Sequence, residues 1–181
     1  MGRFENGSAP KKNGWLVPVL CIGIVICLAV TVWALFFRKP AVVLTPDYAP
    51  VETEAYAESI PDDNSEKAEA PQGGGSISIQ YMDQVTIDLS DKKAALEYAN
   101  PGSSTQDIVL QIVIQGEIVA QSGTINPGKQ VKELELLSGA EKMLQPGTYT
   151  DAKYVILSYH PETGEKAMVN TEAAITVTVQ N

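Results

Sequence analysis

The sequence predicts an all-β antiparallel sandwich carried behind one transmembrane helix and a disordered stalk. Three observations predict it. An uncharged apolar run of 23 residues lies near the amino end, a Pro- and Glu-rich stretch follows, and hydrophobicity then alternates with a period of two almost to the last residue. Charge divides the 181-residue chain at the same places. Residues 1–39 carry five Lys or Arg against one Glu, residues 40–75 carry one against eight acids, and residues 76–181 carry seven against thirteen. The net charge of −9 is therefore concentrated after the apolar run, where it repels phosphate backbones and argues against a nucleic-acid partner.

The apolar run, WLVPVLCIGIVICLAVTVWALFF at 15–37, would form a helix about 34 Å long at about 1.5 Å per residue, enough for a hydrocarbon core of about 30 Å. Trp15 at one end and Trp33, Phe36 and Phe37 at the other suit the headgroup regions. Pro18 falls in the first turn, where its missing N–H costs little. The run exceeds the core of a cleaved signal peptide, for which Val32 and Ala34 would supply the cleavage site. Leu20 stands where lipid attachment at Cys21 would require a small residue. Arg3, Lys11 and Lys12 before the run, against Arg38 and Lys39 after it, favour by one charge a cytoplasmic tail at 1–14 and an extracytoplasmic carboxyl portion. Gly23, Cys27, Thr31 and Ala34 share one helix face, a small-residue seam that would let two copies pair as a weak homodimer.

Residues 38–75 have few large apolar side chains after Leu44 and many like charges, so a disordered acidic Pro/Gly-containing stalk is expected. Tyr48 and Tyr56 are candidates for a recognition motif within it. From 76 to 181 the expected strands are Ile77–Gln80, Val85–Leu89, AALEY at 94–98, DIVLQIVI at 107–114, EIVAQ at 117–121, QVKELEL at 130–136, YVILSY at 154–159 and Ile175–Val179. Turn residues separate them: Asn100-Pro101-Gly102, Gln115-Gly116, Asn126-Pro127-Gly128 and Pro161-Glu162-Thr163-Gly164. Strands this numerous and short suit a sandwich. Pro146-Gly147-Thr148-Tyr149 ahead of a long apolar strand matches the corner tyrosine of sandwiches of the immunoglobulin type, whose hydroxyl bonds back to upstream backbone. Asp151 and Lys153 then occupy that same face, which requires either a bulge near Ala152 or a different facing of Tyr149.

These residues, from Asn100-Pro101-Gly102 through Gly116-Glu117, Ser122-Gly123 and Pro127-Gly128-Lys129 to Pro146-Gly147-Thr148-Tyr149, resemble the immunoglobulin-like ectodomains of small single-pass membrane-anchored proteins of Gram-positive bacteria of the clostridial kind. The resemblance covers residues 76–180. It implies an extracytoplasmic domain on a tether, with no catalytic residue to carry over.

Candidate chemistry is sparse. SGTINPGKQ at 122–130 has the Gly-x4-Gly-Lys opening of a P-loop, but Gln130 replaces the hydroxyl that would meet magnesium, and a strand pattern follows in place of a helix. His160, the one histidine, sits at a turn beside Pro161, an awkward place for a Ser-His-Asp arrangement. Cys21 and Cys27 both lie in the apolar run, which leaves the carboxyl portion without zinc thiolates or disulfides. HPETGEKA at 160–167 is similar to a sortase signal and to a zinc-finger linker, but lacks their context and reads as a hairpin turn. Asp88, Ser90 and Asp91 offer too few oxygens for calcium. No catalytic, cofactor-binding or metal-binding residue is assigned, and no cofactor is expected. The expected function is a non-catalytic interaction or structural module of a bacterial envelope, its partners the bilayer and an unidentified surface protein. The alternative is an accessory or regulatory subunit of a larger envelope complex whose activity lies on a partner.

Overall fold

The computed structural model describes residues 15–37, 46–69, 74–168 and 170–181. The chain divides into two compact units at Ala41/Val42. In the first, helix α1 spans Leu16–Phe37 without an acid in its first turn or a base in its last. Pro18 is tolerated because the first amides of a helix have no acceptor within it. The Thr31 hydroxyl donates to the Cys27 carbonyl one turn back, at 2.8 Å. Backbone and side chains are both described over residues 18–29. That stretch stops short of the ~20 positions a span requires, and among the described residues no helix is long and apolar enough to cross a membrane. The expected tail at 1–14, Arg38, Lys39 and the side chains of Val32, Trp33, Ala34, Phe36 and Phe37 lie outside the described residues.

Among its described residues the second unit is all-β apart from one short helix. Its strands are β1 (Glu58–Ser59), β2 (Gln80–Tyr81), β3 (Gln84–Asp88), β4 (Lys93–Asn100), β5 (Asp107–Ile114), β6 (Glu117–Gln121), β7 (Lys129–Glu135), β8 (Gly147–Tyr159) and β9 (Thr171–Gln180), with α2 (Ala140–Met143) between β7 and β8. They form a mixed sheet in the order β1-β7-β4-β3-β9-β8-β5-β6, with β2 also on β4. The sheet curls until β6 meets the segment that follows β7: Ala120 bridges Leu136, and the Leu137 amide donates to the Val119 carbonyl at 2.8 Å. Inside the curl lies the main core, including Ile87, Leu96, Ile108, Leu110, Ile156 and Val177.

Burial follows the sequence period. Strand β9 alternates buried and exposed positions because only one of its faces meets the core. All eight residues of β5 are buried, six of them apolar, and the two polar ones are hydrogen-bonded, Gln111 donating to Gln121 at 2.7 Å and Asp107 accepting from Asn126 at 2.9 Å. Its second face carries Val109 and Val113, which join Val155, Leu157 and Tyr159 of β8 in a smaller cluster against Ala49 and Ile118. The register of β8 on β9 shifts between Tyr149 and Ala152, and this bulge resolves the facing conflict at Asp151 and Lys153. Tyr149 closes the expected corner, its hydroxyl donating to the Gln145 carbonyl at 3.0 Å and accepting from the Gln145 amide at 3.1 Å.

Three expectations need correction. The sheet is not wholly antiparallel, since β3 runs parallel to β9 from Gln84↔Thr176 to Asp88↔Gln180. Strand alternation is the same for either direction, so nothing local to β3 marks its partner. Nor is the stalk disordered over its described part. Residues 46–69 form a strap along the sheet, through β1 on β7 and through isolated bridges Tyr48↔Glu165 and Thr53↔Thr124. Apolar content underestimates this segment because backbone and carboxylate hydrogen bonds hold it. The expected strand at 77–80 is likewise mostly replaced by side-chain pairing. The Ser78 amide donates to Ser104 Oγ at 2.8 Å, and Ser104 Oγ donates to the Ser78 carbonyl at 3.0 Å.

Candidate functional site

The strap and the segment it lies on, residues 122–132, form an extended polar constellation. Ser122 is buried, its Oγ accepting from the Leu110 amide at 2.8 Å and donating to the Gly123 carbonyl at 2.7 Å. That fixes the backbone just where the strap passes. Thr53 pairs with Thr124 in parallel: the Thr124 amide donates to the Glu52 carbonyl at 3.0 Å, and the Glu54 amide donates to the Thr124 carbonyl at 2.9 Å. Thr124 Oγ1 adds a bond to the Pro50 carbonyl at 2.8 Å. Approach this close requires glycine at 123, where a Cβ would lie 2.9 Å from both Glu52 O and Glu54 N.

The Gly123 amide donates to the Glu54 carboxylate at 2.7 Å, and the other oxygen of that carboxylate accepts from the Tyr56 amide at 3.1 Å. A strap carboxylate thus occupies the backbone donor that a P-loop would aim at phosphate. Asn126-Pro127-Gly128 is the turn expected of it, with Gly128 at φ +81° and the Lys129 amide on the Asn126 carbonyl at 3.2 Å. Gly128 also accepts from the Ile60 amide at 3.0 Å. Lys129 enters β7 and donates to Ser59 Oγ at 3.0 Å.

Farther along the strap, Glu58 pairs with Lys132 and accepts from Gln130 at 2.8 Å. The Lys132 hydrogen bond first, and then that from Gln130, hold the Glu58 carboxyl below its ordinary range. Tyr56 donates to Glu135 at 3.0 Å and lies under the Lys93 ammonium, 4.8 Å from the ring centre. Asp63 accepts from the Ser65 hydroxyl and from the Gly102 amide, and these bonds, the hydroxyl foremost, lower its pKa. At the strap's amino end Tyr159 donates to the Pro46 carbonyl at 3.0 Å. Burial, helped by Asp47, pushes that hydroxyl up to about 12, so it stays a donor at any ordinary pH. A cleft of roughly 400 Å³ opens beside Pro61, between Gln80 and Met82 on one side and Gln130 and Lys132 on the other.

The remaining candidates are kept apart. His160 caps its own turn, Nδ1 accepting from the Glu162 and Thr163 amides at 3.3 and 3.4 Å. Asp88 accepts from the Ser90 amide and hydroxyl and the Asp91 amide, a local turn whose bonds, the hydroxyl's first, lower its pKa. Among the described residues no three His, Cys, Asp or Glu gather as metal ligands. Cys21 and Cys27 are exposed on α1, and a groove of roughly 570 Å³ runs along Gly23, Cys27 and Thr31. Tyr56 does take part in the strap contact, whereas Tyr48 is mostly exposed. Sequence reasoning missed the role of Gly123 and Glu54. The one signal was the Gly-x4-Gly-Lys spacing itself, which marks an amide free to meet an anion.

No family model matches the chain, and no curated protein matches it. Among solved structures, the major subunit of aggregative adherence fimbriae type I from Escherichia coli is similar over 64% of this chain and 100% of that one, at 13% identity and a TM-score of 0.27. A likeness that slight carries no argument about fold or function, and the reading of this chain rests on its own residues.

Proposed function

We propose that the protein is a membrane-anchored, extracytoplasmic, non-catalytic interaction module of a bacterial envelope, with an immunoglobulin-like sandwich as its working part. The observation that carries this reading is the uncharged apolar sequence at 15–37, followed by an acidic carboxyl portion. The corner bond of Tyr149 and the placing of β3 between β4 and β9 support the immunoglobulin-like reading. The sheet's margins and the strap surface supply the means of contact, since binding to strands needs only backbone edges and placed charges. Fractionation of cells with added external protease tests the placement. Full-length chain in membranes, trimmed from outside to a fragment that retains the β unit with its strap, is expected. Full protection of the β unit in intact cells would overturn the extracytoplasmic assignment. Pairing of anchors through Gly23, Cys27 and Thr31 is part of the same proposal. Oxidative crosslinking through Cys27 well above that through Cys21 is its sign, and equal crosslinking at both would remove it.

A further inference from the structure

We infer that residues 122–132 form a docking surface for an acidic polypeptide segment, and that the strap is its resident occupant, exchangeable for a partner segment of the same chemistry. The surface is built to take a neighbouring backbone, which meets it in parallel at Thr53 and, after a turn, antiparallel at Glu58 and Ser59. Ser122 is locked from behind, residue 123 has no side chain, and the Thr124 amide and carbonyl are both aimed at the neighbouring backbone. It is also built for acid: the Gly123 amide holds the carboxylate one residue past the bridged threonine, and Lys132 holds a second carboxylate four residues on.

The occupant is held by contacts that water can replace. Over the strap, Ala57 is the residue packed on the main core and Ala49 the one on the smaller cluster, while Val51 is fully exposed and Glu58 is exposed in its ion pair. A segment fixed by backbone and exposed carboxylate bonds, with little apolar burial, opens at a fraction of the cost of global unfolding. A partner need therefore offer only a small or β-branched residue followed by Glu, a turn like that closed by the Ala57 amide on the Glu54 carbonyl at 3.2 Å, and a further acid four residues after the Glu.

This deepens the interaction-module reading, on which it rests for the partner's origin alone, because the surface can be assayed wherever the protein resides. The probe is a fluorescent peptide of the protein's own residues 46–64, titrated into the full-length protein in detergent. Saturable binding is expected, and Glu54→Gln in the protein should tighten it about 3- to 10-fold, because weakening the resident strap raises the fraction of open surface. The same Glu54→Gln change placed in the peptide should weaken it by a similar factor. Opposite responses to one substitution on the two sides of the exchange are the signature. Binding that ignores both changes would put the peptide elsewhere, and absence of binding to the Glu54→Gln protein at millimolar peptide would show a surface closed to exchange. Either result overturns the inference and leaves the membrane placement untouched.

Discussion

Strand β5 and the strap lie within one β unit and are held in opposite ways. In β5, Ile108, Val109, Leu110 and Ile112 have no exposed surface, and neighbours cover both faces of the strand. In the strap, Val51 is fully exposed, and the ties are carbonyls, amides and carboxylates. Burial gives β5 a large, non-directional stabilisation of about 25 cal/mol per Å² of apolar surface. The strap's bonds are directional and individually worth about 1 kcal/mol net. A single chain thus contains a part that yields only with the whole domain and a part that can open alone.

The largest test of this contrast is Leu110→Ala, which leaves a cavity in the fully enclosed layer. Chemical denaturation should show a loss of about 2–5 kcal/mol, and a loss below ~1 kcal/mol would mean that the core is not close-packed there. Next comes Gly123→Val, which drives a side chain into the strap backbone. Hydrogen exchange at Glu54, Ala57 and Ile60 should accelerate strongly while β5 amides stay protected. Equal acceleration in both would make strap and core one cooperative unit.

Two tyrosines sharpen the comparison further. The Tyr159 hydroxyl ties the sheet to the strap, whereas the buried Tyr98 hydroxyl has no hydrogen-bond partner among the described residues. Tyr159→Phe should cost about 1 kcal/mol and loosen residues near Pro46, and Tyr98→Phe should be close to neutral, because no bond is lost with the oxygen. The reverse ranking in paired melts would contradict the assignment.

The smallest effect is that of pH. Asp63 and Glu58 have lowered folded-state pKa values, Asp63 chiefly from the Ser65 hydroxyl and Glu58 chiefly from Lys132. Groups depressed on folding stabilise above their unfolded pKa and lose that contribution as pH falls through the lowered value. The strap should therefore hold fully above about pH 5 and loosen below about pH 4. Exchange at the Gly102 amide, corrected for intrinsic rates, should report it, and a pH-independent opening constant would count against these carboxylates.

Much of the sheet was legible. DIVLQIVI and EIVAQ became strands with the expected boundaries because short stretches rich in β-branched residues on either side of a Gln115-Gly116 turn leave few alternatives. The Tyr149 corner was readable from Pro146-Gly147-Thr148-Tyr149, since Pro and Gly fix the turn that aims the ring. The strap was illegible for a physical reason. Composition rules weigh apolar burial, and Glu54, Asp63 and Pro50 contribute through hydrogen bonds to groups more than 35 residues away in sequence. The docking surface was half visible: spacing flagged Gly123 and Lys129, but the anion turned out to be a carboxylate from the same chain.

The parallel pairing of β3 with β9 has a mechanical consequence. Drawing the start of β3 one way and the end of β9 the other slides the two strands lengthwise, so the five paired positions from Gln84↔Thr176 to Asp88↔Gln180 share the load at once. A pull on the strap at Pro46 instead tears its ties one after another, beginning with the Tyr159 bond. Tension along the chain should thus have two thresholds, a low one that frees the strap as slack and a high one at which the β unit shears. Single-molecule extension would display them as separate steps, and a single rupture would show that strap and sheet yield together.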